Sequence, residues 1–332
     1  MHTSIYTRET PALLEQLANT PEMKRLSDVG MHCGCEYSGA LLYRNAQYPY
    51  SRLMHSVGVA GIVWNFTNDV TQAVAGLLHD IATPVFSHTI DFMNNDHLTQ
   101  ESTEDKTLAF IESSKEITHL LKSYGICISD VCDYHRYPIA DNDTPMLSAD
   151  RLEYTLGNAH IIYNVPLCQI KEIYDDLSIS INEHDAEELC FRSVKIAKAF
   201  TEIALRNSHF YVSDLDRFLM QYLAEIVRSA LSAGVLTHED LYTTESNVTG
   251  ILNIHDDISI LWYLYRQISS VASSNEELLD RYCLKVSGKK RYIDPLVITS
   301  DGARRISDID VAAKTGIDDF LALDFDKWLY IV

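Results

Sequence analysis

Positive charge is scarce in this chain. Its 27 Lys and Arg stand against 47 Asp and Glu, a formal net charge of -20. Such a surface repels phosphate backbones, which argues against a nucleic-acid partner. A phosphorylated small molecule would need a metal ion or a few placed basic side chains to reverse the field locally. No apolar run approaches the roughly 18 residues of a membrane span. The first 20 residues carry Arg8, Glu9 and Glu15 and no apolar stretch, which is unlike a secretory signal. The 7 cysteines are an odd number without a disulfide-like framework, and Cys33-Gly34-Cys35 and the pair Cys127/Cys132 do not form Cys-x-x-Cys ligand pairs. Reduced, packed thiols in a cytoplasmic protein are expected.

What is present is ordinary in bulk: 332 residues, 46% apolar and 22% charged, enough for a large core. The informative residues are His55, the pair His79-Asp80, and Asp150. Two imidazoles and two carboxylates make a mixed N/O ligand set. It suits a borderline or hard divalent cation and leaves positions for water and phosphate oxygens. The dipeptide alone says little, because His-Asp also occurs at His184-Asp185 and His255-Asp256. His184-Asp185 lies in a polar run that reads as a solvated helix start. His255-Asp256 follows Ile251-Leu252-Asn253-Ile254 but has no second acidic or His element beside it. His79-Asp80 ends a helical period of Val70, Ala73, Val74, Leu77, Leu78 and Ile81. Titratable groups at the end of a buried helix need a partner or a metal. A core histidine bonded to a carboxylate satisfies that demand as well as a metal does.

The periodicities predict a mostly α-helical protein. Helices are expected over 10–28, Ser51–Phe66, a second to about Asp80, Leu108–Tyr124, from Ser148 onward, Glu188–Asn207, Asp214–Ala233 and 245–268. Residues 29–50 read as loop. Thr83-Pro84 gives a helix start signal, placing His88 and Asp91 on one face of the helix that would follow. From Ser148, the residues Asp150, Tyr154 and Asn158 share a face, with Leu152, Leu156, Ala159 and Tyr163 on an adjacent apolar side. Ser269–Asp280 reads as a linker. The tail favours short strands around 283–286, 291–298 and 328–332. The expected division is a core of residues 1–170, a helical extension over 171–268, and a small β-containing part over 281–332.

These residues resemble a known family. The order Arg52-x-x-His55, then His79-Asp80, then Asp150 at a helix start is similar to the HD-domain phosphohydrolases. Within them the chain looks like the deoxynucleoside triphosphate triphosphohydrolases. Arg52 to Val59 resembles that branch's "RFEHSLGV" element. Leu77 to Ile81 with Pro84, Phe86, Ser87 and His88 resembles "LLHDIGHGPFSH". Ala149 to Tyr154 resembles "ADRLDY". Thr20 to Leu26 resembles the first helix, and Tyr292 to Pro295 is a fainter echo. The match covers about residues 18 to 163.

The resemblance implies an HD-domain helical bundle in which His55, His79, Asp80 and Asp150 bind a divalent metal: Mn, Fe, Ni, Zn or Mg. It implies His88 as the catalytic histidine with Asp91 as its partner, Arg52 and Arg151 as phosphate contacts, and Tyr154 against the nucleotide. Proton transfer by a carboxylate-held histidine fits the chemistry of a phosphate ester. The implied substrate is a deoxynucleoside triphosphate, cleaved to nucleoside and triphosphate, or a nucleoside monophosphate. The resemblance also leans toward a homo-oligomer. The chain departs from the family at Ala82-Thr83, at Thr99 to Ser102, where only Glu101 is acidic, and at Gly157-Asn158. His160 is retained without a derivable role. Those departures motivate a rival expectation, an HD-fold nucleotide-binding or regulatory protein without turnover.

Overall fold

A computed structural model describes residues 6, 9–44, 46, 49–98 and 106–332. The segment Thr99 to Ser102, with Gln100 and Glu101, lies outside the described residues, as does Arg8. The protein is mostly helical, as the periodicities predict. The N-terminal part contains α1 (Ala12–Ala18), α2 (Pro21–Arg25), the single turn α3 (Leu41–Arg44), α4 (Arg52–Thr67), α5 (Val70–Leu78), α6 (Thr89–Met93), α7 (Thr107–Ser113), α8 (Lys115–Ser123) and α9 (Ala149–Ile161). There follow α10 (Leu167–Asp175), β1 (Leu177–Ile181), β2 (Glu187–Phe191), α11 (Val194–Tyr211), α12 (Asp214–Ser232), α13 (Glu245–Ile254) and α14 (Asp256–Gln267). The tail holds β3 (Val271–Ser274), β4 (Cys283–Leu284), β5 (Leu296–Thr299), β6 (Gly302–Arg305), α15 (Val311–Leu321) and β7 (Trp328–Ile331). Among the described residues no helix is long and apolar enough to cross a membrane.

Two apolar cores organise these elements. The first gathers Leu13, Leu17, Val59, Val63, Val74, Leu78, Leu152, Leu156 and Phe200, so α1, α4, α5, α9 and α11 close around it. The second gathers Phe86, Phe92, Phe218, Leu223, Val227, Trp262 and Tyr265, joining α6, α12 and α14. Each such side chain, fully buried, contributes about 1.5–3 kcal/mol. The loop after α5 crosses from one core to the other. Its start, Ile81 and Ala82, is in the first, and Val85 and Phe86 are in the second. His79, Asp80 and His88 are therefore carried on backbone anchored at both ends.

Several sequence expectations are corrected. Thr83-Pro84 does not start a helix; α6 begins at Thr89. Phe86 (φ 62°) and Ser87 (φ 45°) adopt left-handed backbone, which a helix cannot contain. Phe86 is thereby turned into the second core. The stretch 10–28 is broken at Asn19-Thr20, with Pro21 opening α2. Leu108–Tyr124 is two helices, because the Ser114 side chain accepts from Ile117 N and starts a new one. The stretch 245–268 is likewise broken, at His255, which adopts extended backbone.

The largest error is at Glu188–Asn207. Residues 187–191 form β2, paired antiparallel with β1 (Ile179↔Leu189) and parallel with β5 (Phe191↔Val297); helix begins only after the Ser193 cap. His184-Asp185 is consequently the hairpin turn, with Asp185 at φ 58°, and not a helix start. The supposed linker at 269–280 contains β3, which pairs with β7. Helix α15, capped by the Asp310 side chain on Ala313 N, was not anticipated.

The sheet β1-β2-β5-β6 buttresses the start of α9. Buried Glu188 accepts from Leu147 N at 2.9 Å and from both terminal nitrogens of Arg305 (2.6 and 2.8 Å). Asp294 N donates to the Pro145 carbonyl at 2.9 Å. Ser148, just beyond these ties, then caps Arg151 N. The helix that presents Asp150 is fixed from below before its own first turn is complete.

Candidate metal centre

Helix α4 starts where Arg52 N donates to Val29 O (2.8 Å), with the Ser51 hydroxyl capping Met54 N. One turn on, His55 is buried and points at α9. Its Nε2 lies 2.9 Å from Asp150 Oδ1, and its Nδ1 lies 2.6 Å from Glu153 Oε2. The two helices must approach closely for this, and Gly58 allows it: a Cβ there would stand 2.6 Å from Glu153 Cγ. Burial alone would lower the His55 pKa, but the hydrogen bonds and charges of Asp150 and Glu153 prevail and push it up to about 10.

His79 directly follows α5. Its Nδ1 sits 2.7 Å from the Gly76 carbonyl, which can only accept, so in the neutral ring Nδ1 carries the proton and Nε2 the lone pair. That Nε2 is 3.6 Å from both Asp80 Oδ2 and Asp150 Oδ1, too far for a hydrogen bond. Ligating atoms of His55, His79 and Asp80 all fall within 4.8 Å of one another. Asp150 approaches the same space through Oδ1. Asp80 also receives Arg52 Nη1 at 3.1 Å and the Thr83 hydroxyl at 2.8 Å. Burial opposes its ionisation, yet Arg52 and the neighbouring imidazoles hold its carboxyl well below the usual range. Asp150 is held low in the same way by His55, against burial. Two nitrogen and two oxygen donors, with one lone pair already freed, fit a divalent ion, and these four side chains would hold it.

Glu153 has no role among the sequence expectations. It is fully buried and takes hydrogen bonds from His55 Nδ1 and from the Tyr50 hydroxyl, the latter at 2.5 Å. An acidic residue three positions after Asp150, among Leu152, Thr155 and Leu156, was the available signal. Gly157 belongs to the same arrangement, since a Cβ there would lie 2.4 Å from Tyr50 Oη. Two departures from the family pattern, Thr83 and Gly157, are thus absorbed into contacts around Asp80 and Glu153.

His88 Nδ1 is 2.9 Å from Asp91 Oδ2, as the spacing predicts, although His88 precedes the helix and Asp91 is in its first turn. Burial, aided by the positive charges of Arg291 and Arg52, lowers the His88 pKa against the pull of Asp91. The neutral ring then donates Nδ1–H to Asp91 and presents Nε2 as a base. Arg52 reaches across from Asp80 to Ser87 Oγ (3.2 Å), the residue before His88, and so ties the two groups together.

The Asp150, Tyr154 and Asn158 face continues away from the ligands. Tyr154 meets Tyr211 edge-on at 6.0 Å, and Asn158 donates to the Tyr211 hydroxyl at 2.6 Å. Asn158 Oδ1 pairs with His32 Nε2 at 3.0 Å. Burial lowers the His32 pKa to about 4, so that ring is neutral and donates. Arg151 is not brought into the cluster. Its guanidinium is taken by Asn142 Oδ1 and the Met146 carbonyl. His160 Nδ1 lies 2.9 Å from the Val165 carbonyl and closes the end of α9. Two open surface recesses along α10 and β1 contain none of these residues.

No protein-family model matches the sequence. Bacillus subtilis protein YdhJ is 23% identical over 291 residues, covering 87% of this chain and 85% of that protein. A metal-dependent phosphohydrolase of Cordyceps militaris is 28% identical over 149 residues, covering 45% of this chain and 41% of that protein. A hypothetical protein from Aquifex aeolicus has the same fold with a TM-score of 0.66 at 17% identity, over 97% of this chain and 93% of its own. A phosphohydrolase from Bacteroides thetaiotaomicron matches with a TM-score of 0.64 at 17% identity, over 97% and 96%. The chain is therefore similar in sequence to a metal-dependent phosphohydrolase and shares its fold with a solved phosphohydrolase.

Proposed function

We propose that this protein is an HD-domain metal-dependent phosphohydrolase acting on a nucleotide. One observation carries the reading: His55, His79 and Asp80 converge with Asp150 beside them, and the Gly76 carbonyl fixes His79 in the tautomer a metal ligand needs. The descriptions of the Cordyceps and Bacteroides proteins support it. When bound, a divalent ion supplies Lewis acidity to a phosphoryl oxygen and acidifies a water molecule. The chain's own residues do the rest. Asp91 accepts Nδ1–H of His88, and His88 Nε2 takes the proton of the attacking water and returns it to the leaving oxygen. Arg52 keeps Asp80 ionised and in place. Tyr154 offers an aromatic face to the nucleoside.

The first substrates to test are deoxynucleoside triphosphates, followed by nucleoside monophosphates. The purified chain is incubated with Mn2+ or Mg2+ and a nucleotide panel, and tripolyphosphate is resolved from orthophosphate. Hydrolysis that needs the metal is expected. Folded, metal-loaded protein that cleaves no panel member would favour a nucleotide-binding role without turnover.

A further inference from the structure

Between Asp80 and His88 the chain makes no helix, so its carbonyls have no helical donors. Thr83 is followed by Pro84, which has no N–H. One distant side chain holds this stretch. Arg25, the last residue of α2, donates from Nη2 to the Ile81 carbonyl at 3.0 Å and to the Thr83 carbonyl at 2.8 Å. Its Nη1 donates to the Thr243 carbonyl at 3.2 Å, just past the turn Asp240–Tyr242 that leads into α13. Val85 N donates to Leu241 O of that turn at 2.7 Å. The ring of Phe110 lies 5.8 Å from the guanidinium carbon. Arg25 is thus the joint at which α2, the loop after α5 and the 241–243 segment meet.

Two consequences reach the site. Thr83, held by its carbonyl, donates its hydroxyl to Asp80 Oδ1 at 2.8 Å, so a shift of Thr83 moves a carboxylate of the metal centre. The same loop continues through Phe86 and Ser87 to His88, and Arg52 spans it by donating to Ser87 Oγ and to Asp80. The spacing between Asp80 and His88 is therefore set by these few residues and by what holds them. We propose that Arg25 is a positioning residue of the metal centre: by holding the Ile81 and Thr83 carbonyls against Thr243, it fixes Asp80 for the metal and sets its distance from His88. This rests on the phosphohydrolase reading and deepens it. A guanidinium suits the role because its rigid planar fork serves two carbonyls from one nitrogen and a third from the other, whereas an ammonium is a single point on a flexible stem.

The test titrates Mn2+ calorimetrically into the full chain after chelation. Arg25→Gln is expected to lower Mn2+ affinity about tenfold or more with the four ligands intact. Arg25→Lys should fall between it and wild type, and it serves as the test if Arg25→Gln does not fold. In metal-free protein, hydrogen exchange at the Val85 amide should rise about tenfold in the variant. Phe320→Leu, which loosens α15 against His209, should lower the melting temperature and leave Mn2+ affinity at the wild-type value. In hydrolysis at saturating Mn2+, Arg25→Gln should lower kcat by more than it changes KM. Wild-type Mn2+ affinity in the folded variant would overturn the proposal and leave the phosphohydrolase reading standing, as would an equal loss of affinity in Phe320→Leu. Wild-type protein that takes up no Mn2+ and cleaves no nucleotide would overturn both.

Discussion

Glu153 Oε2 accepts the Nδ1 proton of His55 at 2.6 Å, and that bond turns His55 Nε2 toward Asp150 Oδ1, 2.9 Å away. The carboxylate is fully buried, shared with the Tyr50 hydroxyl, and made reachable by Gly58. Ligand orientation by such outer partners is a large part of metal affinity.

Glu153→Gln should therefore lower Mn2+ affinity by about 10–100-fold with the four ligands intact. Tyr50→Phe should have a smaller effect, because the His55 bond survives. Metal titration of the two variants checks the order. Equal, wild-type affinity in Glu153→Gln would remove the orienting role.

Gly58→Ala should destabilise the protein by about 1–3 kcal/mol, the usual range for overpacking. The added methyl pushes on Glu153, so Mn2+ affinity should fall together with melting temperature. A loss of stability without a loss of affinity would show that α4 yields elsewhere.

His88→Gln and Asp80→Asn should separate proton transfer from metal binding. His88→Gln should keep Mn2+ and lower kcat by about 10²–10⁴-fold. Asp80→Asn should lose the metal and also stability, about 3–5 kcal/mol, because Arg52 is left buried without its carboxylate. Full activity in His88→Gln would reassign the base.

The pH profile follows from the direction of the His88 shift. Its pKa lies below the ordinary 6.5, so Nε2 is lost to protonation only in more acid solution. The acid limb of kcat/KM assigned to His88, by its disappearance in His88→Gln, should lie below 6.5. A limb above that value would contradict the placement.

Stability should show a different pH dependence, centred on the buried pair Glu36 and Glu245. Burial, reinforced by the charge of Glu36, pushes the Glu245 pKa up to about 8, against hydrogen bonds from Gly30 N and the Tyr37 hydroxyl. A folded pKa above the unfolded value means stability that is full below about 4.5 and lost as pH rises through about 8. Glu36→Gln removes the neighbouring negative charge. Its stability should gain on wild type as pH rises from 5 to 9, by about 1.4 kcal/mol for each unit of pKa relieved, which melting temperatures across that range would show. A difference independent of pH would rule the pair out as the source.

Much of the site was legible because its signals are local. The apolar period under His79-Asp80, the spacing of His88 and Asp91, and the shared face of Asp150, Tyr154 and Asn158 each follow from helical geometry or short-range contact. What stayed hidden depends on distant partners. Glu153 reads as a surface acid until α4 is laid against it. Residues 188–191 are expected in a helix, and pair as a strand with β1 across a short hairpin and, at Cys190 and Phe191, with β5 about a hundred residues later. The left-handed backbone at Phe86 and Ser87 arises because Phe86 is drawn into the second core, which no local preference could override from Thr83-Pro84 alone.

The central claim is that one divalent ion, held by His55, His79, Asp80 and Asp150, makes this chain a phosphohydrolase. Its most direct test is nucleotide hydrolysis by the full chain after chelation and stepwise return of Mn2+. The account predicts no product from chelated protein and recovery that saturates near one Mn2+ per chain. Undiminished turnover after chelation, or no turnover at any Mn2+ level with folded protein, would contradict it.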